Sequence, residues 1–195
     1  VPEAPALPRA FYRRPPGEVA PDLLGCVLVS RTARTLTAGR IVEVEAYLGP
    51  EDAASHAAFR PGSRALFYGD GGYAYVFLNY GIHHCLNAIT SPRGQPGCVL
   101  IRALEPVAGV PTMACRRSTS VDAARLASGP GNVTRALGVT LEDNGADLTR
   151  GTLVIEAPDL PRNFEIATGP RIGITRATDL PLRFWIRNHP HVSRR

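Results

Sequence analysis

The residues best suited to chemistry stand in one segment, Arg40-Ile-Val-Glu-Val-Glu-Ala-Tyr-Leu-Gly-Pro-Glu-Asp, with His56 nine residues beyond Tyr47. Glu45 and Tyr47 put a carboxylate and a phenol ring on one strand face, and His56 brings an imidazole from the next element. Such a set can hold a flat, electron-poor ring and direct a water at the atom beside it.

Alternation supplies the geometry. Val42, Val44, Ala46 and Leu48 share one face of a period-2 strand, and Glu43, Glu45 and Tyr47 share the other. The aliphatic face is expected in the core, so the carboxylate face looks into solvent or a cleft. Two Glu at i and i+2 lie roughly 7 Å apart, and their repulsion raises one pKa unless a cation sits between them. Alternation alone also fits a half-exposed edge strand with solvated acids.

Length and composition bound the class. At 195 residues, with 44% hydrophobic and 20% charged content, the chain reads as one soluble globular domain able to bury a core. No apolar run reaches the ~18 residues of a membrane span, so no membrane partner is expected. The opening Val-Pro-Glu-Ala-Pro-Ala-Leu-Pro lacks the features of a secretory signal. The expected location is cytoplasmic, at the nucleoid if the source is bacterial. Cys26, Cys85, Cys98 and Cys115 form no Cys-x-x-Cys pair. The adjacent His83 and His84 point to opposite strand faces, so neither a metal nor another cofactor is expected.

All 22 cationic side chains are Arg, and the chain contains no lysine. A net charge of +5 and a pI near 9.4 suit an anionic partner, and Arg engages phosphate through a planar fork. No side-chain amine is available for a Schiff base, so covalent amine chemistry would require the amino terminus.

Pro and Gly punctuation predicts short strands and few helices. Residues 1–17 are expected to wrap the surface or stay loose, with the working domain over 18–195. A short helix from Pro21 to Gly25, strand 26–31, the carboxylate strand 40–48 and an acid-led helical turn at 51–58 follow. Residues 73–90 read as a hairpin turning near Asn79–His83. Strand 98–103, a helix over 121–127 capped by Ser120, and a second helix running from Gly129 through Leu137 come next. Strands 153–156, 171–175 and 182–187 close the chain. The sum is a single mixed α+β domain with antiparallel pairing. The hairpin tip carries Tyr80 with little to bury it. It is either an edge packing on a neighbour or a wedge able to enter a duplex groove and fill the gap left by a displaced nucleotide.

The chain resembles the alkyladenine (3-methyladenine) DNA glycosylase family of the mammalian and bacterial type. The resemblance rests on 41–56, on Tyr75-Val-Phe-Leu-Asn-Tyr-Gly-Ile-His-His-Cys-Leu-Asn87, and on Val99-Leu-Ile-Arg-Ala-Leu-Glu-Pro106. Ser128-Gly-Pro-Gly-Asn, Arg171-Ile-Gly-Ile and Pro181-Leu-Arg-Phe-Trp-Ile-Arg continue it in order. It implies a curved antiparallel sheet with short helices and a protruding β-hairpin, a fold resembling the formyltransferase C-terminal domain. It also implies a monofunctional enzyme of base excision repair. Alkylated or deaminated purines (3-methyladenine, 7-methylguanine, hypoxanthine, ethenoadenine) would be flipped from double-stranded DNA and hydrolysed off, leaving an abasic site for a downstream endonuclease. Nothing in the sequence supports oligomerisation, and a monomer is expected.

By the same resemblance Glu45 is the general base, Arg102 holds it ionised, and the carbonyl of Ile172 helps place the water. Tyr47, His56 and Phe77 enclose the flipped base, and Asn87 crowds the 2-amino group of guanine. Tyr80 is the wedge, flanked by Asn79, Gly81, Ile82 and His83. Arg60 and Arg64, outside the family pattern, either substitute as phosphate contacts or are solvated. Three positions depart from the family pattern: Phe77 where Tyr is frequent, Asn79 in place of an apolar residue, and a shortened 57–67 loop. Two other readings remain open: a protein that binds damage without excising it, and a glycosidase or transferase of small nucleosides.

Overall fold

The carboxylate strand lies inside the sheet. In the computed structural model, which describes residues 4–119, 123–158 and 160–193, β1 (Val27–Arg31) and β2 (Leu36–Tyr47) form an antiparallel pair. β2 also pairs along its length with β5 (Cys98–Ala108). A hairpin of β3 (Ala74–Asn79) and β4 (His83–Ile89) extends the sheet beyond β5, and β6 (Leu153–Glu156) extends it beyond β1. β7 (Ile166–Gly169) pairs with β8 (Arg183–Ile186), and β8 closes onto β2 at residues 43–45. The result is a curled, eight-stranded, wholly antiparallel half-barrel, the α+β class expected from the sequence.

Edge-strand status for the acids is therefore excluded. The register between β2 and β5 slips around Val42, from Ile41 opposite Leu104 to Glu43 opposite Ala103. Such a bulge bends the strand. Every residue from Ile41 to Ala46 is fully buried, the two glutamates included. The aliphatic half of the alternation faces the main core, where Val42, Val44 and Ala46 meet Leu23, Leu86, Ile101 and Leu104. Each such Val, Leu or Ile side chain contributes about 1.5–3 kcal/mol on burial.

Helices cover the core face. α1 (Arg9–Tyr12) and α2 (Pro16–Leu23) precede the sheet. The helix expected from Pro21 starts instead at Pro16, because proline in the first turn gives up an N–H that has no helical partner anyway; Pro21 lies inside it. The amino segment is bound to the sheet: Ala6 bridges Glu156, and Tyr12 is fully buried. α3 (His56–Phe59) and α4 (Arg64–Phe67) form the loop over the hairpin, so the expected turn at 51–58 becomes helical only from His56. α5 (Val110–Arg117), which the sequence reading missed, follows Gly109 in left-handed conformation and begins with Pro111 in its first turn. α6 (Ala123–Leu126) falls within the helix expected at 121–127, whose Ser120 cap lies outside the described residues.

α7 (Pro130–Leu137) follows. Gly131 lets its first turn lie against the hairpin, since a Cβ there would stand 2.9 Å from His83 Cβ. The strand expected at 171–175 is not formed. β7 takes the pairing with β8 earlier, and Gly173 has a φ of 77°, which breaks extension.

The hairpin turns where the sequence placed it. Tyr80 and Gly81 both have positive φ, 50° and 68°, and Ile82 N–H donates to Asn79 O at 3.1 Å, the geometry of a type I′ turn. Holding a tyrosine in that region costs about 1–2 kcal/mol. Tyr80 is 82% exposed and Ile82 73%. No helix among the described residues is long and apolar enough to cross a membrane.

Candidate active site

Glu45 sits near the end of β2 with both oxygens engaged. Oε1 accepts the Ile172 N–H at 2.7 Å and lies 3.2 Å from Arg102 Nη1; Oε2 accepts the Tyr47 hydroxyl at 2.9 Å. Burial pushes the Glu45 carboxyl above the usual carboxylate range. Arg102, the Ile172 amide and the Tyr47 hydroxyl pull the other way, and Glu43 adds to the rise. The Tyr47 hydroxyl is itself pushed far up by burial and by Glu45, so it stays protonated and keeps donating. The cation required between the two glutamates is Arg102, with Nε 3.0 Å from Glu43 Oε1.

Beside this carboxylate opens a cavity of about 680 Å³, lined by Tyr47, His56, Phe77, Asn79, Tyr80, Asn87, Arg102 and Ile172 among others. That volume lies in the range that encloses a small-molecule-sized ligand. Glu45 lies behind Tyr47, Arg102 and Ile172, its three bonding partners, so the carboxylate reaches the cavity through them.

The walls are aromatic. His56 and Phe77 meet with ring centroids 4.3 Å apart, and Phe77 stacks on Tyr75 at 5.4 Å. His56 Nδ1 is 2.9 Å from Tyr75 Oη, which also accepts the Ser63 hydroxyl at 3.1 Å. Burial, aided by Arg60, pushes the His56 pKa down to about 4, so the ring is neutral at physiological pH. Ser63, Tyr75 and the neutral His56 ring thus form one hydrogen-bonded chain. The chain Ser63–Tyr75–His56 escaped the sequence reading, as did Phe59, which is half exposed at the cavity rim 5.2 Å from the His56 ring. Asn87 is buried, with Nδ2 bonded to the Tyr75 carbonyl at 3.1 Å.

A second buried pair supports this wall. Arg171 forks onto Asp52 with contacts of 2.6 and 2.9 Å, bonds the Ala46 carbonyl at 3.1 Å, and lies 4.6 Å from the Tyr47 ring centroid. Asp52 in turn accepts the Leu48 and Ala54 N–H groups, so it shapes the turn that delivers His56. Burial pushes the Asp52 carboxyl up, but the Arg171 fork and the two amides outweigh it and hold the group below its ordinary range.

The remaining sequence-predicted residues lie around the mouth. Tyr80 and Asn79 line it, while Gly81, Ile82 and His83 are exposed on the hairpin. Arg60 stands over the Phe77 ring at 5.3 Å and Arg64 over Tyr68 at 5.2 Å, both exposed. Ile172 contributes its N–H to Glu45, a contact the sequence reading did not anticipate. Among the described residues no group of three metal-ligating side chains could hold an ion.

Comparison with known proteins identifies a family. The family model described as methylpurine-DNA glycosylase matches residues 10–190. Three relatives carry the name "Putative 3-methyladenine DNA glycosylase". The one from Methanoculleus marisnigri is 47% identical over 97% of this chain and 99% of its own length. The Koribacter versatilis relative is 48% identical over 96% and 92%, and the Bacillus cereus relative 42% identical over 96% and 98%.

Proposed function

This chain belongs to the methylpurine-DNA glycosylase family and is a DNA N-glycosylase, and we propose that it flips alkylated or deaminated purines out of duplex DNA and hydrolyses their N-glycosidic bonds. The observation that carries this reading is the carboxylate of Glu45, fixed by Arg102, Tyr47 and Ile172 at the inner end of an aromatic-walled cavity. Departure of a base leaves an oxocarbenium-like sugar, and a fixed carboxylate on the opposite face stabilises that charge. Glu45 Oε2 retains a lone pair beyond the Tyr47 bond. That lone pair takes the proton of the attacking water, which the Ile172 carbonyl helps to place.

Substrate choice follows from the walls. Alkylated purines carry positive charge, leave readily, and are attracted to the faces of Tyr47 and Phe77. Neutral lesions such as hypoxanthine take their proton from water or another donor. Asn87 stands as the steric filter against the guanine 2-amino group. Asn87→Ser should therefore raise excision of unmodified guanine about tenfold, read as single-turnover release from an undamaged duplex. An unchanged rate would leave Asn87 as packing against Tyr75.

Tyr80, held outward by its turn, occupies the space vacated by the flipped nucleotide, with Arg60 and Arg64 on the phosphates. Tyr80→Ala should weaken binding to a lesion-bearing duplex about 10- to 100-fold, the worth of one aromatic–base stack, with a much smaller loss on the same lesion in a single strand. Equal losses on both would remove the wedge role.

The function as a whole is tested by single-turnover incubation with duplexes holding 3-methyladenine, 7-methylguanine, hypoxanthine or ethenoadenine, with and without subsequent alkali. Strand breaks only after alkali are expected, because no lysine is available for a Schiff base. Tight binding without alkali-labile product on any substrate would make the protein a non-excising damage binder.

A further inference from the structure

The cation between the two glutamates is itself held from behind. Glu43 is fully buried and, among the described residues, accepts hydrogen bonds on both oxygens. Its Oε1 accepts Arg102 Nε at 3.0 Å, Arg183 Nε at 2.8 Å and the Ser193 hydroxyl at 2.9 Å. Its Oε2 accepts the Ser193 N–H at 2.6 Å. Ser193 Oγ also lies 3.5 Å from Arg102 Nη2. A carboxylate offers about four acceptor sites, two on each oxygen, so Glu43 Oε1 is saturated. Two glutamates with no exposure balance in charge against two nearly buried arginines, Arg102 and Arg183.

Glu43, Arg183 and Ser193 do not line the cavity, and the group that joins them to it is Arg102. Ser193 is 150 residues from Glu43 in sequence, yet it bonds Glu43 through both its N–H and its hydroxyl. A residue recruited from so far, with both main chain and side chain turned to one buried carboxylate, is set there to fix that carboxylate's orientation.

We propose that Glu43 and Ser193 are positioning residues for base excision: Ser193 fixes Glu43, Glu43 fixes the Arg102 guanidinium by its Nε, and Arg102 is thereby left with Nη1 on Glu45. The inference rests on the general-base role of Glu45. Arg102 has two carboxylates to choose between, and Ser193 settles the division by satisfying Glu43 independently. Without the Ser193 hydroxyl, Glu43 draws more of the guanidinium and Glu45 loses its cation. The charged and titratable groups facing Glu45 are Arg102 from β5, Glu43 and Tyr47 from β2, Cys85 from β4, Arg183 on β8, and Arg171 beside Ile172. The cations among them are permanently charged, so a shifted acidic limb of the pH–rate profile reports where Arg102 stands.

The test compares Ser193→Ala, Ser193→Thr and Glu43→Gln with the unaltered protein on a hypoxanthine duplex under single turnover at saturating enzyme. Ser193→Ala should lower the excision rate about tenfold, the worth of one hydrogen bond to a charged group. It should leave lesion-duplex affinity unchanged and move the acidic limb to higher pH. Ser193→Thr, which keeps the hydroxyl, should restore rate and profile. Glu43→Gln should lower the plateau rate yet move the limb to lower pH, because the charge competing for Arg102 is gone. Unaltered rate and profile in Ser193→Ala, or losses that follow melting temperature without rescue by Ser193→Thr, would overturn the proposal. Glu45→Gln runs alongside: an active Glu45→Gln defeats the underlying reading, whereas an inactive one beside an unaffected Ser193→Ala defeats this inference alone.

Discussion

Glu45→Gln should lower single-turnover excision by at least about 10³-fold, combining the loss of a general base with the loss of charge opposite the departing base. The substitution keeps side-chain volume and leaves an oxygen to accept the Ile172 N–H, so lesion-duplex binding should persist. The lost function is specific to the anion. Neutral Gln neither takes a proton from water nor offsets the charge developing on the sugar. The wild-type rate should rise with pH through a limb lying above the ordinary carboxylate range, because burial raises the Glu45 pKa and the base must be ionised to act. In Glu45→Gln that limb should vanish. Excision retained at the wild-type rate, or a limb unchanged in position, would take Glu45 out of the chemistry.

Arg171→Leu should destabilise the fold by about 3–5 kcal/mol, because it strands the Asp52 carboxylate in a site with no exposure. For a domain of this size that lowers the melting temperature by on the order of 10 °C. The damage should extend to the active site, since the same guanidinium lies against the Tyr47 ring and bonds the Ala46 carbonyl beside Glu45. Replacing both partners by leucine should recover much of the loss, as apolar substitutes fill a buried pair's site without leaving a lone charge. The pair also sets a pH window. Asp52 titrates lower in the folded chain than in the unfolded one, so its contribution is present above the unfolded aspartate pKa and is lost as pH falls through the folded value. Thermal melts of the two variants from neutral to acidic pH check both statements. A single variant melting with the wild type would show the pair to be dispensable.

Much of the site was legible because extended chain has a fixed period of two. Alternation alone put Val42, Val44 and Ala46 inward and set Glu45 beside Tyr47, and the structure keeps both arrangements. The positive-φ turn at Tyr80-Gly81 was similarly local, marked by glycine between two strand-like runs. The resemblance brought in Arg102 and Ile172, which no local pattern could have joined to Glu45.

Long-range packing was beyond reach. The acid face of β2 is buried because β8 pairs with it from about 140 residues away and Ser193 follows, neither of which leaves a mark near Glu43. The Asp52–Arg171 fork spans 119 residues, and Arg171 therefore read as the start of a strand instead of an anchor. The start of α2 was misplaced at Pro21, which lies inside the helix, and α5 was missed; Pro16 and Pro111, each in a first turn, begin them.

The central claim is that Glu45 aims a solvent nucleophile at the sugar carbon from the side opposite the base. The most direct test is single-turnover excision in a water–methanol mixture, followed by anomeric analysis of the methyl deoxyriboside left in the DNA. A single displacement directed by Glu45 predicts one anomer, inverted to α from the β-linked nucleotide. The β anomer would mean that Glu45 itself bonds to the sugar in a double displacement, and an even mixture would mean that nothing in the site directs the nucleophile; either result contradicts the role assigned to Glu45.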